Sequence, residues 1–110
     1  PVIIVMGGES YYIKGNRCSV GGESVIEKFF DDQEYYLGKG DSIYMFSDGF
    51  PDQFGGVDGK KMKIARLKTL IEDVQHLPME QQKEIIDKFF FEWKGTYEQV
   101  DDVLMMGLKF

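Results

Sequence analysis

One cysteine, Cys18, is all the chain has. That excludes an internal disulfide and any cysteine-based metal cluster, and it suits a structural thiol in a reducing compartment. A single histidine, His76, leaves zinc and copper short of their usual donors. No apolar stretch approaches the roughly 18 residues of a membrane span, and no basic leader precedes a hydrophobic segment. Basic charge is scarce too. Thirteen Lys and Arg face nineteen Asp and Glu, for a net charge of -6, so the clustered cations that displace counterions from phosphate are missing and no nucleic-acid partner is expected. A cytoplasmic location follows as the expectation.

What is present suffices for a modest core. Hydrophobic residues make up 43% of 110, which is enough for one domain or part of one. The chain opens on Pro1 and runs straight into Val2-Ile3-Ile4-Val5-Met6, which reads as a piece of a longer protein. That apolar run predicts a strand buried on both faces. Gly7-Gly8 predicts a hairpin turn and Ser10 to Ile13 its return strand. Gly15-Asn16 offers another turn before the loop around Gly21-Gly22, so the first third reads as a β-meander. Glu34 to Leu37 and Ile43 to Phe46 predict a second hairpin across Gly38-Lys39-Gly40-Asp41.

The second half changes period. Pro51 to Lys61 is rich in Gly and Asp, without periodicity, and reads as a surface loop. Ile64, Leu67, Ile71 and Val74 recur at helical spacing, with Lys68 and Glu72 facing away. Pro78 suits the first turn of a second helix, whose apolar face is Ile85, Ile86, Phe89, Phe90 and Trp93 and which Gly95 stops. Phe91 alone points outward. Val103 to Phe110 reads as a strand in the middle of a sheet, interrupted by Gly107. The class is α+β, mainly antiparallel strands with two amphipathic helices.

The chemistry gathers at two strand ends. Gly40-Asp41-Ser42-Ile43-Tyr44-Met45-Phe46-Ser47-Asp48-Gly49 carries a carboxylate onto a glycine turn, and glycine lets backbone and cation approach without a Cβ clash. Alone, Asp48-Gly49 is better read as a plain turn. Gln99-Val100-Asp101-Asp102, just before the final apolar run, shifts the balance. Adjacent aspartates ahead of a buried strand repel each other, and a cation relieves that repulsion. All-oxygen donors suit Mg²⁺ or Mn²⁺. Two such ions can activate a water for phosphoester hydrolysis, but two carboxylates do not complete that site.

Gly40 to Phe50, with Asp52 four residues beyond Asp48, resembles the strand-plus-SDG motif of PPM-type metal-dependent serine/threonine phosphatases, in the bacterial SpoIIE/RsbU-like branch. Gln99-Val100-Asp101-Asp102 resembles that family's last acidic motif. Gly21-Gly22 resembles its glycine turn, and Asp52-Gln53-Phe54-Gly55-Gly56 an extension seen in phosphatases fused to sensor modules. The resemblance spans nearly all of the chain, residues 1–110, as the C-terminal portion of an α/β/β/α sandwich. The family's N-terminal half, with its early aspartate and glycine carbonyl, has no counterpart.

The resemblance implies that Asp48 and Asp101 ligate metal, that Gly49, Asp52 and Asp102 are accessory, and that two Mn²⁺ or Mg²⁺ ions activate the water that acts as nucleophile. It further implies a phosphorylated protein substrate, an anti-sigma-factor antagonist in that branch. An upstream sensor region belongs to the same expectation, and the sequence leaves open whether the parent is tethered to a membrane. A half-domain would be inactive alone, and its uncovered strand edges would favour dimers or strand exchange.

Other readings are weaker. A haloacid-dehalogenase-like site needs an aspartate two residues after Asp48, where Phe50 stands. An EF-hand counted from Asp48 has Phe50 third and Gln53 sixth, against the ligand and glycine required. His76 reads as a helix-end or solvent residue, the Phe89 to Trp93 aromatics as core, and Lys60-Lys61-Met62-Lys63 as a solvated helix start. The serious rival is a degenerate phosphatase domain kept as a phosphoprotein-binding module.

Overall fold

Val2–Met6 forms strand β1, and its uninterrupted apolar run is explained by where it lies: it pairs on both sides and buries both faces. A computed structural model describes residues 1–13 and 37–110. The Gly15-Asn16 turn, Cys18, the Gly21-Gly22 loop and the strand expected from Glu34 lie outside them. Gly7 and Gly8 take φ of +58° and +84°, the left-handed pair that a two-residue hairpin requires. They return the chain as β2, Glu9–Ile13, with Ile3 opposite Tyr12.

Strand β3, Ser42–Phe46, pairs antiparallel with the other side of β1, setting Ile4 opposite Ile43. The turn before it closes as expected: Gly40 has φ +94°, and the Asp41 carboxylate accepts the Gly38 N–H at 2.8 Å. The segment expected to be a structureless loop holds a small ribbon, β4 (Phe54–Gly55) against β5 (Lys60–Lys61). Its register comes from outside itself: Gly56 N–H donates to Trp93 O, and Trp93 Nε1–H to Gln53 O, both at 2.9 Å. Lys60 and Lys61 therefore belong to a strand, and Met62, only 2% exposed, is core. The solvated helix start shrinks to Lys63.

Helix α1, Lys63–Asp73, buries Leu67, Leu70 and Ile71, with Val74 buried just past its end. Glu72 is not idle on its outer face, since it accepts hydrogen bonds from both the N–H and the hydroxyl of Ser10 on β2. Helix α2, Met79–Lys94, starts directly after Pro78 and ends at Gly95, whose φ of +52° lets its N–H return to Phe91 O at 3.0 Å. Its stripe is narrower than the sequence predicts: Ile86 and Phe90 are buried, while Ile85 is 39% exposed. Phe91, 65% exposed, points outward as expected.

The last strand, β6, is Met105–Lys109, and it pairs with β3 so that Tyr44 faces Gly107. The sheet order is β2-β1-β3-β6. Among the described residues β6 is an edge strand, not the interior strand expected, and β1 and β3 fill the middle. The apolar run misled because it reports what the faces carry, not which strands flank them.

Both helices cover one face of the sheet, where Ile3, Val5, Tyr44 and Phe46 meet Phe50, Leu67, Ile71, Ile86 and Phe90. Val2, Ile4 and Ile43 form a second cluster on the opposite face with Met6, Ile13 and Met45. The α+β class and antiparallel architecture hold.

Tyr44 organises the helix-covered face. Its hydroxyl donates to Gln82 Oε1 and accepts from Gln75 Nε2 at 2.6 Å, and Gln75 Oε1 accepts from Ser42 Oγ at 3.1 Å. Gln82 is 1% exposed, and its amide also donates to Leu77 O. Burial raises the Tyr44 pKa above its ordinary 10.0, partly offset by these hydrogen bonds.

The folded state thus keeps this proton to higher pH than the unfolded chain, so stability should fall as pH climbs past about 10. Tyr44→Phe strands Gln82 Oε1 and should cost about 1–3 kcal/mol at neutral pH. It should also flatten the alkaline loss. Urea midpoints for both proteins, taken from neutral pH upward, test the pair of effects.

Candidate metal centre

β3 ends where the acidic turn begins, and Ser47 joins that turn to the second acidic segment. Its N–H donates to Leu104 O at 3.0 Å, its hydroxyl donates to Asp102 O at 2.8 Å, and its Oγ accepts the Leu104 N–H at 2.9 Å. A serine is suited to this because one hydroxyl both donates and accepts. Gly49 then lies directly against Asp101 and Asp102. A Cβ there would overlap the Asp102 carbonyl oxygen and come 3.2 Å from Asp101 Cβ. The two strand ends singled out in the sequence are therefore side by side.

The turn itself is tight. Asp52 N–H returns to Asp48 O at 3.0 Å and Phe50 N–H to Ser47 O at 3.2 Å. Asp48, Asp101 and Asp102 are exposed, while Gly49 and Phe50 are buried. Phe50 anchors the turn from below, its ring 5.1 Å from that of Phe90 on α2. Asp52 stands 4.0 Å from Lys61 Nζ, each side chain about half exposed, a pair of small energetic value. Tyr12 on β2 senses this charge. Its hydroxyl pKa lies above the ordinary 10.0, first through burial and then through the negative charge of Asp48 and Asp52.

Three contributors escaped the sequence reading. Ser47 stands out in the sequence only as part of a motif, and its hydrogen bonds span 55 to 57 positions. Gln53, 2% exposed, donates to Glu98 O at 2.9 Å and so ties the acidic turn to the stretch leading into Asp101. Tyr12 comes from a different hairpin. No local pattern marks any of them, although a glutamine amid turn residues such as Asp52 and Gly55 is a weak hint of a backbone tether.

The fold can be compared with known proteins. No protein-family model and no curated protein sequence matches the chain. Among solved structures, the SiaA-PP2C domain of Pseudomonas aeruginosa superposes with a TM-score of 0.78 at 26% identity, over 99% of this chain. The chain is the C-terminal part of a PP2C-type fold. It spans 42% of that structure's chain, so the PP2C-type sandwich extends well beyond these residues. PP2C is the PPM phosphatase class, and its members are metal-dependent.

Do the residues fit a metal? The candidate donors are oxygen only and exposed, on two segments whose backbones meet at a glycine, and oxygen donors suit a hard divalent cation. Their number falls short: among the described residues no three His, Cys, Asp or Glu side chains converge. Asp48 and Asp101 lie on adjoining segments, the backbone at Gly49 meeting that at Asp101 and Asp102, and Asp52 follows in the same turn as Asp48. His76 stays apart, exposed in the turn after α1. Among the described residues no helix is long and apolar enough to cross a membrane.

Proposed function

We propose that this chain is the metal-ligand-bearing C-terminal portion of a protein serine/threonine phosphatase of bacterial signalling. The observation that carries this reading is the contact of Gly49, directly after Asp48, with Asp101-Asp102, secured by Ser47. Mn²⁺ or Mg²⁺, when bound, would supply Lewis-acid activation of water and neutralise charge at phosphorus. Asp48 and Asp101 would hold the cations, and Asp102 and Asp52 would add negative potential nearby. Gly49 keeps the two segments in contact, and Ser47 fixes their separation. The substrate is a phosphorylated protein, with an anti-sigma-factor antagonist as the specific candidate from the SpoIIE/RsbU-like resemblance. An upstream sensor region and a cytoplasmic catalytic portion complete the proposal.

The 110 residues alone should be inactive, because two cations held side by side need more carboxylates than these two acidic segments bring together. The same shortfall supports a second reading, in which the domain is a non-catalytic phosphoprotein-binding module.

Hydrolysis of a phosphoserine peptide separates the two. In a polypeptide extended to a whole PP2C-type domain, Mn²⁺-dependent activity is expected, and Asp48→Asn and Asp101→Asn should each lower it about 100-fold or more. An inactive extended protein that still binds the phosphoprotein would favour the module.

A further inference from the structure

The stretch between α2 and β6 has little of its own to hold it. Residues 95–104 form neither helix nor strand, and none from Glu98 to Asp102 is buried. So few buried contacts ordinarily leave a segment mobile. Among the described residues, the hydrogen bonds that reach Glu98 to Leu104 from other elements come from two residues that bracket the acidic turn. Ser47 holds the far end, through Asp102 O and both backbone groups of Leu104. Gln53 holds the near end, its amide donating to Glu98 O at 2.9 Å. Asp48 lies between the two anchors on one side, and Asp101 on the other. One anchor alone would let the segment pivot about Ser47, whereas two fix its direction.

The Gln53 anchor is itself rigid. The residue is 2% exposed, and its carbonyl accepts two N–H groups, Trp93 Nε1–H at 2.9 Å and Met62 N–H at 3.0 Å. Its side-chain amide also donates to Phe54 O at 3.0 Å, so the two amide hydrogens have two acceptors. Trp93 is held in turn, its own carbonyl accepting the Gly56 N–H. α2 bears no candidate ligand, yet its end fixes Gln53, and Gln53 fixes Glu98.

We propose that Gln53 is the positioning residue of Asp101: by holding Glu98 it directs the backbone that carries Asp101 and so sets the affinity of the acidic pair for a divalent cation. The role rests on the metal-centre reading above. Outer hydrogen bonds of this kind orient ligands without touching the ion. Glutamine suits the task through reach and donors together, since asparagine would be a carbon too short and glutamate would set an oxygen against Glu98 O. Glu98 is exposed, so water can replace the amide at its carbonyl, and removing the amide costs orientation more than folding.

Gln53→Met keeps the length of the side chain and removes both donors. Without metal, backbone relaxation of the 110-residue chain should show Gln99 to Asp101 ordered, and loosened by the substitution, with order parameters falling from about 0.85 to below about 0.6. Titration with Mn²⁺ alone then reads the consequence through paramagnetic broadening. In the unaltered chain the amide signals of Gly49 and Asp101 should broaden well before those of Glu84 and Asp87, exposed on α2. Gln53→Met should raise the Mn²⁺ concentration needed about tenfold, the lower end of what losing an outer hydrogen bond costs a metal site. In an Asp101→Asn background the same change should shift it less than about twofold, because no ligand is left to position. A full shift in that background, or none in the unaltered one, overturns the role. An unaltered chain whose acidic segments show no preferential broadening overturns the metal-centre reading, and the metal-free relaxation then shows separately whether the anchor exists. A measurement needing no variant completes the test: the side-chain amide protons of Gln53 should exchange with water about tenfold or more slowly than those of exposed Gln81. Equal rates would mean that Gln53 anchors nothing.

Discussion

Gly49→Val should destabilise the chain by about 3 kcal/mol or more, near the upper end of what overpacking a filled site costs. The cause is contact with backbone rather than with a movable side chain. Even the first added carbon would overlap the Asp102 carbonyl oxygen and press on Asp101 Cβ. Backbone at that point cannot retreat cheaply, because Asp102 O also accepts the Ser47 hydroxyl and Leu104 is bonded to Ser47 twice. Relief would come only by separating the two acidic segments. Domains of this size are stable by about 5–15 kcal/mol in total, so the loss should be plain in urea denaturation. The same substitution in a polypeptide carrying the whole domain should abolish metal-dependent activity even where the protein remains folded. An unchanged urea midpoint would show that the two segments do not touch.

Phe90→Ala should cost about 3–5 kcal/mol, the range for emptying a buried aromatic site, whereas Phe91→Ala one position on should stay within about 0.5 kcal/mol. The two phenylalanines are neighbours in sequence and opposite in surroundings. Phe90 is 5% exposed and packs 5.1 Å from Phe50, while Phe91 is 65% exposed. Phe50 follows Gly49 directly, so the cavity would open under the acidic turn. Thermal or urea melts of both variants check the contrast. Comparable losses at 90 and 91 would mean that α2 is rotated from the orientation described.

This second prediction links the core to the candidate site. α2 supplies no acidic ligand. It supports the turn through Phe50 and Phe90, and it fixes the ribbon beyond the turn through Trp93, whose ring also stacks with the Arg66 guanidinium at 4.1 Å. Gln53 then carries the restraint onward to Glu98, just before Asp101 and Asp102. The acidic residues are exposed, yet the backbone that presents them is tied to buried groups at several points.

Short-range patterns in the sequence were sufficient for much of this molecule. Gly7-Gly8 marked a hairpin because few other residues accept two successive positive φ angles. Helical spacing from Ile64 to Val74, and from Ile85 to Trp93, marked two helices because burial on one side repeats with the helical turn. Pro78 and Gly95 bounded the second helix through one missing donor and one permitted φ. Asp48-Gly49 and Asp101-Asp102 are recognisable as carboxylates at strand ends from the residues alone.

Tertiary structure alone decided how these pieces meet. Ser47 reaching Asp102 and Leu104, Gly49 lying against Asp102, Gln82 buried under Tyr44, and β6 at the edge of the sheet that the described residues form all depend on pairings between residues far apart in the chain. Local periodicity says which face of an element is apolar. It carries no information about which element comes to cover that face, because the choice rests on the packing and hydrogen bonding of the whole chain.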